Sequence, residues 1–183
     1  AVMGSDAALP SHESMAAVGM EAERAMFAAT GGVNTHKGAL FSMGLAVVSV
    51  AHEAFVHGAD NVGAEAVRSG IMRLAAGFPD TSGTHGSAAK RRAMAEEGAA
   101  VTVKGALDNA REGYQQLFGA WLPYCSAQLA DADPLALHRT LLRIMCDLDD
   151  TNIIFRAGTA VAEAVKEESE ALLDGFSEAA LQR

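Results

Sequence analysis

Proline, cysteine and aromatic residues are scarce in this sequence. Of its 183 residues only 4 are proline and 2 are cysteine, and aromatic residues make up 5%. Half of the residues are hydrophobic and only 20% are charged, which excludes the composition of a disordered chain. Cys125 and Cys146 lack the spacing of metal ligands, so we expect reduced, buried thiols in a cytosolic protein and no disulfide.

Positive charge and long apolar runs are also scarce. The 14 lysines and arginines are outnumbered by 23 acids, giving a formal charge of −9. We expect no general nucleic-acid binding, because that function neutralises phosphates with Lys and Arg. An acidic protein that binds polyphosphate should gather its few cations, or a divalent metal, at one place. The longest apolar run, 39–51, is too short to cross a bilayer, so we expect a buried helix and no membrane binding.

Alanine, leucine, methionine and glutamate dominate, and few segments alternate with a period of two. This pattern predicts an all-α fold: one domain over residues 1–183, built as a multi-helix bundle around a buried central helix. That central helix is predicted at about 35–57. Six other helices are predicted: from Ser11 to just before Gly31, over 62–76, from about Thr84, over 105–118, from Pro134 through Phe155, and over 159–173.

The stretch from 30 to 42 crowds glycines, capping residues, a histidine and a lysine where an apolar helix begins. Gly31 and Gly32 allow positive φ and a close approach of ligand to backbone. Asn34 or Thr35 can cap a helix whose free amides favour a phosphate, and Lys37 would add a positive charge.

A simpler interpretation of the same stretch stays open. Two glycines can form an ordinary turn before a capped helix, since glycine and asparagine are common in loops. His36 and Lys37 would then be solvated in the first turn of that helix.

A second candidate segment lies near the end of the chain. Asp149, Asn152 and Arg156 are spaced so that a continuous helix would stack them on one face, with Asn152 pointing inward. Asp149 and Asp150 cannot both face the same way, so we expect Asp149 to face a metal or substrate while Asp150 caps a helix or is solvated. The alternative is an ordinary salt-bridged helix face.

The third candidate segment is Gly83-Thr84-His85-Gly86, which precedes the basic run Lys90, Arg91 and Arg92. His85 could bind phosphate as a cation, bind metal when neutral, or move a proton, and a solvated loop histidine is the simpler alternative. The histidines at 12, 52, 57 and 138 have no supporting context.

Together and in this order, the three segments resemble those of the triphosphoribosyl-dephospho-CoA synthase family, which serves citrate lyase and malonate decarboxylase. The similarity extends from about Met15 to Arg156. The resemblance implies a cytoplasmic enzyme that transfers the triphosphoribosyl group of ATP to the ribose 2′-hydroxyl of dephospho-CoA and releases adenine, with Mg²⁺ expected beside ATP.

The resemblance also implies roles for individual residues. The first segment and Arg156 would bind phosphates. Asp149 and Asn152 would bind Mg²⁺ or orient the nucleophile. His36 or His85 would relay a proton. The phosphate-binding residues of the first segment are Gly31, Gly32, Asn34, Thr35 and Lys37.

The sequence departs from the family pattern in two places. The usual N-terminal segment, with a Lys-Pro-Gly stretch and a motif bearing His and Asp, is missing. Where the family carries an Arg-Gly-Glu-like segment, this sequence has Gly-Ala-Leu-Asp-Asn-Ala at 105–110, and where the family commonly has a histidine before the final arginine, this sequence has Phe155. We therefore expect a fragment, half of a split enzyme, or a diverged nucleotide-binding module, with Mg²⁺-dependent phosphohydrolysis as a separate alternative. Apolar surface left uncovered predicts a homo-oligomer or a complementing chain.

Overall fold

The computed structural model describes residues 8–34, 37–80, 95 and 104–176. Within these ranges the chain forms helices and loops and no strand, which confirms the all-α class. The α-helices are α1 (His12–Ala29), α2 (Lys37–His57), α3 (Ala64–Ala76), α4 (Ala106–Arg111), α5 (Leu122–Ala130), α6 (Ala136–Asp147), α7 (Thr151–Ala157) and α8 (Thr159–Asp174). A short 3-10 helix covers Ala59–Asn61, and a π-helix, Leu117–Trp121, leads into α5.

The helices form two compact units. Among the described residues, the first comprises 8–34, 37–80 and 106–114, and the second comprises 95, 104–105 and 115–176. Each unit has its own buried residues. The expectation of one domain over residues 1–183 stays a prediction.

Local sequence signals set the ends of the helices in the first unit. The Ser11 hydroxyl accepts a hydrogen bond from the amide of Ser14 and so caps α1, as predicted. Helix α3 ends at Ala76, with Gly77 as its C-cap, and the predicted bounds of α2 and α3 agree with the structure to within two residues. The predicted helix near Thr84 lies outside the described residues.

Helix α2 contacts α1, α3 and α4, but it buries only one face. Its buried residues are Leu45, Ser49, His52 and Glu53, which recur at helical spacing. Other apolar side chains of α2, such as Met43 and Val47, are about 60% exposed. The prediction of a buried central helix is therefore confirmed for one face of α2. By length and composition α2 could cross a membrane, a test that the core helix of a soluble protein also passes.

Helices α2 and α3 approach each other closely at Gly70. A Cβ atom added there would lie 3.0 Å from Oγ of Ser49 and 3.1 Å from its Cβ. Leu45 on α2 and Ile71 and Leu74 on α3 are also buried. A residue without a side chain at position 70 is thus what allows the close approach.

The second unit is built mainly on the packing of α8 against α6 and α7. Its buried apolar residues are Leu135, Ala136, Ile154 and Ala162. Helix α8 begins at Thr159, as predicted, and ends at Gly175.

Two predicted helices are interrupted. The segment predicted as one helix over 105–118 ends at Arg111, because Gly113 and Tyr114 adopt positive φ angles of 69° and 44°. The helix expected from Pro134 through Phe155 begins two residues late, at Ala136, and breaks after Asp147, where Leu148 is extended with ψ of 128°. The prediction of one continuous helix across this break is therefore wrong.

Candidate functional site

The glycine segment of the first unit forms the end of α1. Gly31 and Gly32 have φ angles of +63° and +84°, which confirms the expected positive φ. The amide of Gly32 donates a hydrogen bond to the carbonyl of Phe27 at 2.8 Å, a bond typical of a helix C-terminus closed by a left-handed residue. A Cβ added at either glycine would meet no atom within 4 Å. The backbone of this turn therefore faces open space.

Asn34 and Lys37 occupy the start of α2. The side-chain oxygen of Asn34 accepts a hydrogen bond from the amide of Lys37 at 3.2 Å, so Asn34 acts as the predicted cap. The Lys37 ammonium lies 3.0 Å from Oε2 of Glu23 on α1. Lys37 is thus half-exposed and ion-paired, while Thr35 and His36 lie outside the described residues.

His85, with the rest of 83–86 and the basic residues 90–92, lies outside the described residues.

The late acidic segment occupies a break between helices. Asp149 precedes α7, whereas Asn152 and Arg156 lie within it. The expected stacking of all three on one continuous helix is therefore wrong. The break arises because the side chain of Asp150 accepts hydrogen bonds from the amides of Asn152 at 2.7 Å and Ile153 at 3.2 Å, so that Asp150 starts a new helix.

This geometry separates the two adjacent acids as predicted. Asp150 caps α7, and Asp149 is left for another contact. Oδ1 of Asp149 lies 2.5 Å from Nζ of Lys166 on α8. The same ammonium lies 3.1 Å from Oε1 of Glu163.

Lys166 is a charged residue with two carboxylate partners. Its partial burial by itself lowers its pKa, but the hydrogen bonds to Asp149 and Glu163 outweigh that effect and raise the pKa above 10.5. The side chain is 21% exposed and that of Asp149 is 50% exposed. The loop that carries Asp149 is therefore tied to α8 by a partly buried ion pair.

Asn152 and Arg156 both face solvent. Asn152 is exposed, which contradicts the expectation that it points inward. The buried position of α7 is Ile154 instead. Arg156 is also exposed and, among the residues that the structure describes, forms no salt bridge.

A shallow groove of about 280 Å³ lies beside this segment within the second unit. It is lined mainly by apolar side chains of α6, α7 and α8, and Asp150 is its one charged lining residue among those described. Leu141 and Met145 of α6 form one wall and are 57% and 37% exposed. The apolar repeat Leu141, Ile144, Met145 and Leu148 predicts a core stripe, which is wrong, because the buried residues of α6 are Ala136 and Thr140.

Sequence reasoning missed a buried polar cluster in the first unit. The carboxylate of Glu53 is buried, with Oε1 3.4 Å from Nδ1 of His52 and Oε2 3.6 Å from Nε2 of His57. Arg73 approaches from α3 at 4.0 Å. His52 and Glu53 continue the buried face of α2, so helical periodicity from Leu45 was the signal that could have found them.

Lys166 and Glu23 were missed as well. Each is one charge on an amphipathic helix, and each partner lies 14 or more residues away in sequence, 17 for the Lys166–Asp149 pair. Such pairs leave no periodic signal, since they depend on how helices pack.

The described residues contain no group of three His, Cys, Asp or Glu side chains placed to hold a metal ion. Asp149, in the loop before α7, and Asn152, in the first turn of α7, nevertheless carry oxygen donors of the kind that suits Mg²⁺. Mg²⁺ is commonly bound through one or two carboxylates together with substrate phosphates. The donor set thus fits a metal that arrives with a polyphosphate.

Comparisons with known proteins complete this description. The family model of ATP:dephospho-CoA triphosphoribosyl transferase, CitG, matches residues 2–183. A probable 2-(5''-triphosphoribosyl)-3'-dephosphocoenzyme-A synthase of Pseudomonas fluorescens is 31% identical over 175 residues, covering 94% of this chain and 57% of the relative. The corresponding synthase of Klebsiella pneumoniae is 34% identical over 157 residues, covering 85% and 52%.

A third relative, protein CitXG of Leuconostoc mesenteroides subsp. cremoris, is 32% identical over 143 residues, which are 78% of this chain and 30% of that protein. The chain therefore spans about half the length of the curated relatives that it matches. No solved structure matches the chain.

Proposed function

This chain belongs to the ATP:dephospho-CoA triphosphoribosyl transferase family, and on that premise we propose that it acts in the transfer of the triphosphoribosyl group of ATP to the ribose 2′-hydroxyl of dephospho-CoA. Adenine is the leaving group, so the bond that breaks is the glycosidic bond of ATP. The observation that carries the proposal is the match of the family model along residues 2–183, which includes the helices of both units.

The reaction sets three physical requirements. The triphosphate must be held still, the adenine must be accommodated, and the incoming hydroxyl must be aligned with the anomeric carbon. Positive charge that develops on the ribose is stabilised by oriented dipoles and by negative groups. Phosphate-binding cations and at least one carboxylate are therefore the residues to look for.

In this proposal the glycine segment of the first unit binds phosphate. Gly31 and Gly32 leave the backbone open at the turn, and the α2 N-terminus contributes oriented amides. Asn34 and Thr35 complete the segment, and the Lys37 ammonium supplies charge. Since Lys37 is paired with Glu23, a bound phosphate would have to compete with that carboxylate or share the ammonium with it.

The second unit contributes the acidic segment and Arg156. Asp149 and Asn152 would bind Mg²⁺ or orient the 2′-hydroxyl, and the exposed Arg156 would bind a further phosphate. Mg²⁺, when bound, would neutralise phosphate charge and fix the triphosphate geometry. The role of proton relay is assigned to His36 or His85, as the family resemblance implies.

The proposal also concerns assembly and location. Exposed apolar side chains on α1 and α2, among them Met20, Met43 and Phe55, supply surface that a second copy or a complementing chain could cover. The enzyme would work as a soluble protein in the cytoplasm. Light scattering over a wide concentration range tests self-association, and a monomeric mass throughout would contradict it.

Product analysis tests the activity directly. The protein is incubated with ATP, Mg²⁺ and dephospho-CoA, and adenine and the triphosphoribosyl product are followed by mass. The proposal expects adenine only when dephospho-CoA is present. Release of inorganic phosphate without adenine would instead identify a phosphohydrolase, and ATP binding without either product would identify a nucleotide-binding module.

A matched pair of variants tests the phosphate-binding role of Lys37. Lys37→Ala should weaken ATP binding by about 1.5 to 3 kcal/mol, because one charged hydrogen bond is lost. Glu23→Gln breaks the same ion pair but keeps the ammonium, so it should bind ATP at least as tightly as the wild type. Equal weakening in both variants would mean that the ion pair, and not a phosphate contact, is responsible.

A further inference from the structure

The ammonium of Lys166 lies beside Asp149, the carboxylate assigned to metal binding, where a metal cation would otherwise bind. Its ammonium lies 2.5 Å from Oδ1 of Asp149. A divalent ion bound to the same oxygen would sit about 2.0 to 2.1 Å from it in the case of Mg²⁺. Two cations this close to one carboxylate repel each other, so we expect them to compete for Asp149.

We propose that Lys166 is a positioning residue that holds Asp149 in place in the metal-free protein and is displaced when a divalent cation binds. The inference rests on the proposed function, in which Asp149 is a metal ligand. It adds a residue from α8, outside the three segments that the sequence singled out, and it gives that residue a specific effect on metal affinity.

The surroundings of Lys166 make such an exchange feasible. Glu163 lies one turn earlier on α8, with Oε1 3.1 Å from the same ammonium. A displaced Lys166 would thus keep one carboxylate partner and would not be left as an unpaired charge. Asp150 stays engaged with the amides at the start of α7, so the loop keeps its shape while the cation changes.

The magnitude of the competition follows from exposure. Asp149 is half-exposed and Lys166 is 21% exposed, so the pair resembles a surface ion pair more than a buried one. Such pairs contribute about 0.2 to 1 kcal/mol. Removing the lysine charge should therefore tighten metal binding by about 1.4- to fivefold.

Mn²⁺ alone, observed by electron paramagnetic resonance, is a suitable probe for this site. Lys166→Met removes the ammonium and should bind Mn²⁺ about 1.4- to fivefold more tightly than the wild type. Lys166→Arg keeps the charge and should remain near the wild type. Asp149→Asn should lose this binding in both the wild-type and the Lys166→Met background.

Arg143→Met is the matched control for a general effect of charge. Arg143 lies on α6 and pairs with Asp147 at 3.0 Å, not with Asp149. Its replacement removes the same unit of charge from the same unit of the protein and should leave Mn²⁺ affinity nearly unchanged. Tightening equal to that of Lys166→Met would show a field effect and would overturn the competition.

The remaining outcomes separate this inference from the proposed function. If Asp149→Asn abolishes binding while Lys166→Met changes nothing, the inference is wrong and the metal role of Asp149 stands. If Asp149→Asn binds Mn²⁺ as the wild type does, both the inference and the metal role of Asp149 are wrong. If no variant binds Mn²⁺ in the absence of a polyphosphate, the inference is wrong. Adenine release, measured separately, decides the transferase activity in each case.

Discussion

Replacing Asp150 should destabilise the second unit, whereas the neighbouring replacement at Asp149 should have little effect on stability. The Asp150 carboxylate accepts hydrogen bonds from two amides at the start of α7, a helix of only 7 residues. Loss of such a cap costs about 0.5 to 2 kcal/mol, and part of that arises from the negative charge at the helix N-terminus. We expect Asp150→Ala to lower the free energy of unfolding by about 1 to 2 kcal/mol.

Three variants measured by urea unfolding with circular dichroism test this reasoning. With an m-value of about 1 to 3 kcal/mol per molar, a loss of about 1 kcal/mol lowers the midpoint by roughly 0.3 to 1 M. Asp150→Ser keeps a capping oxygen and should recover most of the loss. Asp149→Asn weakens only a half-exposed ion pair with Lys166 and should cost at most about 1 kcal/mol.

The same variants separate capping from chemistry. In the adenine-release assay, Asp150→Ser should retain activity and Asp149→Asn should lose it, because only Asp149 is assigned to the substrate or metal. An Asp150→Ala protein that unfolds at the wild-type urea concentration would refute the capping argument. Equal loss of activity in Asp150→Ser and Asp149→Asn would refute the division of roles.

Three further predictions concern the first unit. Ser49→Ala should raise the free energy of unfolding by about 1 kcal/mol in urea titrations, because the buried Ser49 hydroxyl has no hydrogen-bond partner among the described residues; a destabilised variant would reveal a hidden partner. Gly31→Ala should lower the melting temperature, since φ of +63° costs a residue with a Cβ about 1 to 2 kcal/mol, whereas Gly19→Ala, inside α1 with open space around it, should raise it. Burial raises the pKa of Tyr114 above 10.0, and the hydrogen bond with Ser42 only partly offsets this effect. The contribution of Tyr114 to stability is therefore complete below pH 10.0 and is lost as the pH rises through the folded-state pKa. In unfolding measured as a function of pH, Tyr114→Phe should reduce this loss of stability at alkaline pH.

Much of the local structure could be predicted from short-range patterns. The Ser11 cap, the positive φ angles at Gly31 and Gly32, and the end of α8 at Gly175 all follow from the conformational preferences of single residues. The division of labour between Asp149 and Asp150 was also predictable, because adjacent residues cannot point in the same direction.

Sequence periodicity failed where a short-range signal interrupts it. The apolar repeat of α6 continues in register through Phe155, yet the chain breaks at Leu148 because Asp150 captures the amides of a new helix. Periodicity reports which side chains are apolar and carries no information on whether each backbone hydrogen bond forms.

The amino-acid order by itself determined the all-α class, most helix ends and the family to which the chain belongs. Only tertiary packing determined that α2 buries one face, that Ser49 packs closely against Gly70, and that Asp149 forms an ion pair with Lys166. The physical reason is range. Capping and helix propensity act between residues a few positions apart, whereas a pair 17 positions apart exists only after two helices have packed and brought opposite charges within hydrogen-bond distance.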